Sequence, residues 1–251
     1  MVVLGTACAP SPPPPSPPIQ TSVDPLDAHH LEGALPPLLG EQWVDTLDDG
    51  AMHVALPIGV TRRVPVVVGV HGAGDKPEWS CAEWLAVTEA HAFVVCPHGV
   101  SDARWAGTHV WPSAAHIANE TVRALRALRA AYGDWIDEGP VTYGAWSQGA
   151  TLAGPAVRAL HERGVRVDRA ILVEIGHTPV DARETSRALK EAGVRRVVVS
   201  CSSGPCRDFA TAFRSATTLP LKIVDVGNRG HWFDEPVFRA LAASLPWLDE
   251  R

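Results

Sequence analysis

Ser147 is the residue whose surroundings point most directly to chemistry. It lies in the segment PVTYGAWSQGATLAG, where Gly144, Ala145, Gly149 and Ala150 crowd around it. Small residues at these positions are typical of a sharp strand-to-helix turn that lifts a nucleophilic hydroxyl above a sheet. The usual pattern is Gly-x-Ser-x-Gly, and Ala145 stands at its first glycine. A serine that only caps the following helix is the structural alternative.

A serine hydroxyl is a weak nucleophile until a base takes its proton, so a histidine is needed nearby. His231, in the segment RGHW, follows the last predicted strand and is the candidate base. His177 and His71 also follow predicted strands and compete with it. The sequence therefore predicts that a serine and a histidine meet at one edge of a sheet.

The elements that must position these residues alternate along the chain. Two short predicted strands, QWVDTL and MHVALPI, come first, and the continuous apolar run VPVVVGVHG is typical of a central strand buried on both faces. Predicted helices and strands alternate after it, with Gly133, Gly164 and Gly193 as helix stops and an interruption or kink near Pro155. The pattern predicts an α/β fold with a mostly parallel central sheet of about eight strands and helices on both faces. In such folds the active residues gather at the carboxyl ends of the strands.

Three predicted strand ends carry a family resemblance: HGAGD at residues 71–75, GAWSQG around Ser147, and GNRGHWF around His231. Their order and placement resemble the α/β-hydrolase superfamily over about residues 41–251. With CPHG, the HGAGD segment looks most like that of small lidless serine esterases, namely the carboxylesterase/thioesterase, dienelactone-hydrolase-like and polyhydroxybutyrate-depolymerase/feruloyl-esterase groups. The superfamily normally inserts its lid after the sixth strand, where this chain has only the short segment GHTPVDARE, so no large lid is expected.

The resemblance implies a role for each of these residues. Ser147 would be the nucleophile and His231 the base, because His177 precedes the position of the acid and His71 belongs to the oxyanion loop. The backbone N–H groups of Gln148 and Ala73 would form the oxyanion hole, where negative charge develops on the substrate carbonyl oxygen.

The acid that orients the histidine is less well defined by the sequence. The resemblance places it after the seventh strand, in VVVSCSSGPCRDF, where Asp208 is the only carboxylate. Asp208 could equally cap the next helix. Glu174, at the end of the sixth strand, is the alternative acid, and Asp181 and Asp234 are weaker candidates.

Several of the nine tryptophans fall in or beside predicted strand-end loops. A cleft lined by them would bind an apolar or aromatic group. The alternative is that some of them only pack beneath the loops. The predicted pocket residues are Trp79, Trp111, Trp146 and Trp232, and Trp105 lies at the same predicted edge.

Taken together, these residues predict a serine carboxylic-ester hydrolase that acts on a small-molecule ester. A hydrolase-fold binding protein with a degraded triad and a serine peptidase are the alternatives. The formal net charge of −6, with both signs spread along the chain, gives no indication of a nucleic-acid partner. We expect no metal or cofactor, because no Cys/His spacing in the sequence is typical of a zinc site. The oligomeric state is open.

The amino-terminal part differs in composition. Residues 1–39 combine a short apolar run ending at Cys8 with the proline-rich spacer SPPPPSPP, and residues 40–251 are the predicted catalytic domain. The first segment resembles the end of a bacterial lipoprotein signal, which implies an exported, periplasmic or cell-surface protein with lipidated Cys8 as the point of attachment to a membrane. A tail with an incidental cysteine is the alternative. Cys201 and Cys206 are close enough for a disulfide, which would leave Cys81 and Cys96 as a second pair, although sequence cannot fix connectivity.

Overall fold

The computed structural model describes residues 44–47, 52–58 and 62–249. In chain order, the strands are β1 (Val44–Leu47), β2 (Met52–Ala55), β3 (Val66–Val70), β4 (Phe93–Pro97), β5 (Val100–Ser101), β6 (His109–Val110), β7 (Val141–Trp146), β8 (Val167–Val173), β9 (Arg196–Cys201) and β10 (Leu221–Asp225). The helices are α1 (Pro77–Val87), α2 (Ala114–Tyr132), α3 (Gln148–Thr151), α4 (Ala153–Glu162), α5 (Ala182–Glu191), α6 (Gly204–Ala216), α7 (Glu235–Ala242) and α8 (Leu245–Asp249).

Eight of the strands form the central sheet, in the order β1-β2-β4-β3-β7-β8-β9-β10. β2 runs antiparallel to both of its neighbours, and all pairs from β4 to β10 are parallel. β5 and β6 form a separate two-stranded hairpin. Only residues 174–181 connect β8 to α5, so this connection holds no large lid. The predicted sheet, with its antiparallel start, is confirmed.

Helices cover both faces of the sheet. One core cluster joins the apolar faces of α2, α4, α5 and α6 to the sheet, and the other does the same for α1, α7 and α8. Every residue of β3 is buried, as its uninterrupted β-branched sequence predicts for a central strand. The two covered faces leave the strand ends as the place where polar side chains can gather.

Of the local predictions about helices, one needs correction. Gly164 and Gly193 have φ values of 79° and 90° and end their helices as predicted, but Gly133 has a φ of −52° and leads into a 3₁₀ turn. The helix after Ser147 is interrupted near Pro155 as predicted, at Leu152, between α3 and α4. Because Pro155 has no backbone N–H, it fits only in the first turn of a new helix.

Both expected disulfides are present. Cys81–Cys96 joins α1 to β4, and Cys201–Cys206 joins the end of β9 to the first turn of α6. Among the described residues, no helix has the length and apolarity needed to cross a bilayer. Cys8 and the proline-rich spacer lie outside the described residues.

Candidate active site

Ser147 lies at a strained turn between a strand and a helix. β7 ends at Trp146 and α3 begins at Gln148, so the turn is a single residue. The φ of Ser147 is 51°, in the left-handed region where a residue with a side chain is strained. Its N–H donates to the carbonyl oxygen of Val173 on β8, at 2.9 Å. Within the described chain the serine side chain does not cap α3, so the capping alternative has no support.

Small residues allow chain segments to approach this turn closely. A Cβ atom at Gly149 would lie 2.9 Å from the carbonyl oxygen of His71. A Cβ atom at Gly72 would lie 3.2 Å from the Cβ of Ser147. Ala145 is fully buried in the core, where its methyl group is accommodated. The alanine in place of the usual first glycine is therefore compatible with the turn.

His231 faces the serine hydroxyl. It lies in the loop between β10 and α7, and its Nε2 is 2.8 Å from the Oγ of Ser147. The ring stacks on Trp146, with centroids 5.4 Å apart and planes inclined by 25°. The preceding residue, Gly230, donates its N–H to the carbonyl oxygen of Ser202 at 3.1 Å. His231 is therefore held where it can take the proton of Ser147.

Glu174 lies on the other side of the histidine ring. It directly follows β8, its φ is 52°, and it is 1% exposed. One carboxylate oxygen, Oε2, lies 3.5 Å from the Nδ1 of His231, which is longer than a normal hydrogen bond but within ion-pair range. The other oxygen, Oε1, accepts the backbone N–H of Ser202 and lies 3.0 Å from the Oγ of the same serine.

The surroundings of Glu174 keep it ionised. Burial alone would raise the pKa of this carboxyl group, because it disfavours the charged form. Contacts from His231, Ser203, the N–H of Ser202 and His177 outweigh burial and lower the pKa of Glu174 to about 2. Glu174 therefore carries a negative charge at neutral pH, as a group that stabilises a charged imidazole must.

The preference for Asp208 as the acid is corrected by this geometry. Asp208 is exposed within α6, which begins at Gly204, upstream of the predicted helix start. Glu174, the alternative, directly follows β8, and its carboxylate lies 3.5 Å from the Nδ1 of His231. Asp181 caps α5 and Asp234 pairs with Arg229, so the weaker candidates are engaged elsewhere.

Two polar residues beside the acid were not assigned a place in the site from the sequence. The Oγ of Ser202 lies 2.7 Å from the carbonyl oxygen of Gly230, so it links Glu174 to the loop that carries the base. The Nε2 of His177 lies 3.1 Å from Oε2 of Glu174 and 2.8 Å from the Oγ of Ser203. The sequence feature that could have pointed to this part of the site is the pair of serines directly after a buried strand, in SCSS.

The loop that follows β3 is supported by a neutral histidine. His71 is fully buried; its Nδ1 donates to the carbonyl oxygen of Gly72 at 2.7 Å, and its Nε2 accepts the N–H of Gly99 at 3.2 Å. Burial, with a smaller effect of nearby His109, lowers the pKa of His71 to about 4 despite the bond to Gly72. His71 is thus a support for this loop.

Both predicted oxyanion-hole donors lie beside the nucleophile. Ala73 is exposed and follows Gly72, which approaches Ser147 closely, and Gln148 directly follows the serine. The side chain of Gln148 makes two hydrogen bonds to the backbone of Trp111, of 2.9 and 3.0 Å. This pair of bonds ties the first turn of α3 to the hairpin next to the HGAGD loop.

The four predicted pocket tryptophans divide into two groups. Trp79 and Trp232 are 53% and 61% exposed, and Trp146 is half-buried against His231. Trp111 is 3% exposed, so the prediction that it lines the pocket is wrong. It stacks on His71, with ring centroids 4.4 Å apart, and donates its Nε1–H to the carbonyl oxygen of that residue.

Three side chains of metal-ligand type meet at the acid. The ligand atoms of Glu174, His177 and His231 all lie within 4.8 Å of one another. Two imidazoles and a carboxylate are groups that bind transition metals. Sequence spacing gave no indication of this cluster, because His231 comes from a distant loop.

Comparisons with known proteins agree on the architecture. No protein-family model matches the chain, and no curated protein sequence matches it either. An esterase from Pyrobaculum calidifontis superposes with a TM-score of 0.55 at 18% identity, over 78% of this chain and 80% of the esterase. Acyl-protein thioesterase 2 from Zea mays gives 0.56 at 14% identity, over 78% and 98% of the two chains. An arylesterase gives 0.56 at 13% identity, over 88% of each chain.

At identities this low, the superpositions establish only the fold, and the chemistry must be argued from the residues of the site. The mostly parallel sheet, the helices on both of its faces and the likeness to esterase structures all agree. The chain has the α/β-hydrolase fold.

Proposed function

We propose that this protein is a serine hydrolase that cleaves carboxylic esters through an acyl-enzyme intermediate. The observation that carries the proposal is one continuous chain of contacts at a strained turn. It runs from the Oγ of Ser147 to His231, 2.8 Å away, and from there to the carboxylate of Glu174, 3.5 Å away. A nucleophile, a base and an orienting acid in this relation are the recurring triad of acyl transfer.

The acylation step follows from these contacts. Ser147 attacks the ester carbonyl carbon while Nε2 of His231 accepts its proton, and the carbonyl oxygen becomes an oxyanion. The negative charge of Glu174 stabilises the imidazolium that forms. When the tetrahedral intermediate collapses, the carbon–oxygen bond to the alcohol breaks, and the alcohol leaves with the proton from His231.

The oxyanion is stabilised by the backbone N–H groups of Ala73 and Gln148. Backbone donors cost little reorganisation during the reaction when their loops are fixed in advance. The buried His71 and the side-chain bonds of Gln148 to Trp111 provide that support. Deacylation repeats the sequence with water as nucleophile, activated by His231, and releases the carboxylic acid.

The preferred ester has an apolar or aromatic group. Trp232 lies next to the base, and Trp79 and Trp105 are 53% and 55% exposed on the segments that follow the strand ends. Exposed indole rings bind flat apolar groups well. The short connection between β8 and α5 leaves the site open to solvent, which favours esters in solution or presented at a surface.

The test is hydrolysis of short p-nitrophenyl esters by the full chain, together with labelling by a fluorophosphonate probe. The wild-type protein is expected to hydrolyse the esters and to take up one probe per chain at Ser147. The Ser147→Ala variant, with an unchanged melting temperature, should lose both. A folded wild-type protein that resists the probe would favour a binding protein with a degraded triad, and faster cleavage of peptides than of esters would favour a peptidase.

We also propose that the protein is exported. Disulfides form and persist mainly in oxidising compartments, and the described residues contain two. Attachment to a membrane through lipidated Cys8 is the form of export that the amino-terminal segment suggests. Metabolic labelling with a radioactive fatty acid in a bacterial host tests this attachment, and Cys8→Ala should abolish any label.

A further inference from the structure

The acid side of His231 holds a third side chain that the triad does not need. The Nε2 of His177 lies 3.1 Å from the same Glu174 oxygen that faces His231. The two imidazole rings are 3.8 Å apart, centroid to centroid. One nitrogen from each ring and one carboxylate oxygen all lie within 4.8 Å of one another.

The backbone fixes this meeting. Glu174 leaves β8 with a φ of 52°, and Gly176 follows with a φ of 101°, so the chain turns back on itself within three residues. A Cβ atom at Gly176 would lie 2.8 Å from the carbonyl oxygen of Pro205, which leaves no room for another residue type. This turn brings His177 over the carboxylate of Glu174.

The ligand set suits zinc. Zinc binds carboxylate oxygen and imidazole nitrogen at about 2.0–2.2 Å in tetrahedral sites, which requires neighbouring ligand atoms about 3.3 Å apart. The Glu174 oxygen is 3.1 Å from His177 and 3.5 Å from His231. The ligand nitrogens of His177 and His231 lie within 4.8 Å of each other, so one ring must move to bring them to about 3.3 Å. Calcium and magnesium prefer all-oxygen sites and fit this cluster less well.

We propose that Glu174, His177 and His231 form a zinc site that switches off hydrolysis. Zinc binding does not depend on the chemistry at Ser147, whereas the inhibitory effect rests on the proposed hydrolase function. The site lies on the Nδ1 side of the His231 ring, away from the Oγ of Ser147, so zinc inhibits without blocking the substrate cleft.

The inhibition follows from the two nitrogens of one imidazole ring. A neutral imidazole carries one proton, which in the active state lies on Nδ1 and faces Glu174, while Nε2 accepts from Ser147. Zinc takes the lone pair of Nδ1, so the proton moves to Nε2. His231 then donates toward Ser147 and cannot act as its base. Zinc also binds the carboxylate of Glu174, whose negative charge is then no longer available to stabilise the imidazolium.

The binding test uses the metal-free full chain, titrated with zinc in competition with a chromophoric chelator. One zinc per chain is expected in the wild-type protein and in Ser147→Ala, because the serine is not a ligand. His177→Asn, which keeps a polar side chain but removes a ligand nitrogen, should weaken binding at least about tenfold. His161→Asn, which removes an exposed histidine from α4, is the matched control and should bind like the wild type.

The hydrolysis test compares each protein with and without saturating zinc. Zinc should lower kcat/KM of the wild type and of His161→Asn at least about tenfold, and a chelator should restore it. For His177→Asn, the ratio of kcat/KM without zinc to kcat/KM with zinc should stay near one. The proposal is overturned if no zinc binds, if His177→Asn binds it as tightly as the wild type, or if bound zinc leaves hydrolysis unchanged. A wild-type chain that binds zinc through His177 but hydrolyses no ester contradicts the proposed function and leaves the zinc site standing.

Discussion

Two neighbouring strands end in the same way and carry opposite kinds of group. Ser147 directly follows β7 and Glu174 directly follows β8, and these residues have φ values of 51° and 52°. Each donates its N–H to a carbonyl oxygen near the end of the next strand: Ser147 to that of Val173, and Glu174 to that of Ser200. The same backbone strain therefore occurs twice, side by side, at the edge of the sheet where the site lies.

The surroundings of the two side chains differ. The hydroxyl of Ser147 is half-buried and faces the base, whereas the carboxylate of Glu174 is buried and surrounded by donors. A nucleophile must reach a substrate, while an orienting acid must stay ionised away from water. One strained turn can therefore serve either task, and the packing around it selects which.

The largest expected effect is on catalysis, and it comes from a substitution that removes only the charge at the second strand end. Glu174→Gln should reduce kcat by about 10³- to 10⁴-fold, because the imidazolium loses its stabilising charge. Ester hydrolysis by the purified variant measures this. Asp208→Asn is the matched control and should stay within about twofold of the wild type. Equal losses in both variants would contradict the assignment of the acid.

A smaller effect concerns stability in acid. Because the pKa of Glu174 is lowered to about 2, its charge contributes to stability above its usual pKa, near 4.5, and the contribution is lost as pH falls toward 2. Glu174→Gln should therefore be about 3 kcal/mol less stable than the wild type at pH 7, with a gap that narrows between pH 4.5 and 2. Urea unfolding at several pH values measures it.

Glu83 supplies a control of opposite sign for this measurement. Burial, together with the charge of Asp75, raises the pKa of Glu83 to about 9. The folded protein therefore favours the protonated form of Glu83, and the wild type loses stability as pH rises from about 4.5 toward 9. Glu83→Gln should remove that loss. A gap for Glu174→Gln that stays constant from pH 7 to 3 would contradict the expected role of the carboxylate charge.

The smallest expected effect tests the shared strain itself. At Ser147 the φ of 51° favours glycine, so Ser147→Gly should be more stable than Ser147→Ala by about 1 kcal/mol. At exposed Ala212 in α6 the order should reverse, with Ala212→Gly about 1 kcal/mol less stable than the wild type. Chemical unfolding measures both. An alanine more stable than glycine at residue 147 would show that the turn is not strained.

Sequence reasoning succeeded where the signal is local. The small residues around Ser147 predicted the turn, the run VVVGV predicted a buried strand, and Cys201 and Cys206 predicted a short disulfide loop. Each of these depends on residues within a few positions of one another. Trp111 shows the limit, because an indole in a strand-end loop can equally face a cleft or pack beneath it.

The sequence by itself determined the alternation of strands and helices, the buried character of the central strands, and the chemistry available at the strand ends, because these follow from local residue type and period. Only the tertiary structure decided which carboxylate faces His231 and which histidines share it. Glu174 and His231 are far apart in the sequence, and only the fold brings the carboxylate after β8 to 3.5 Å from the Nδ1 of that ring, while Asp208 lies exposed on α6. The same neighbourhood brings His177 and His231 together from separate loops.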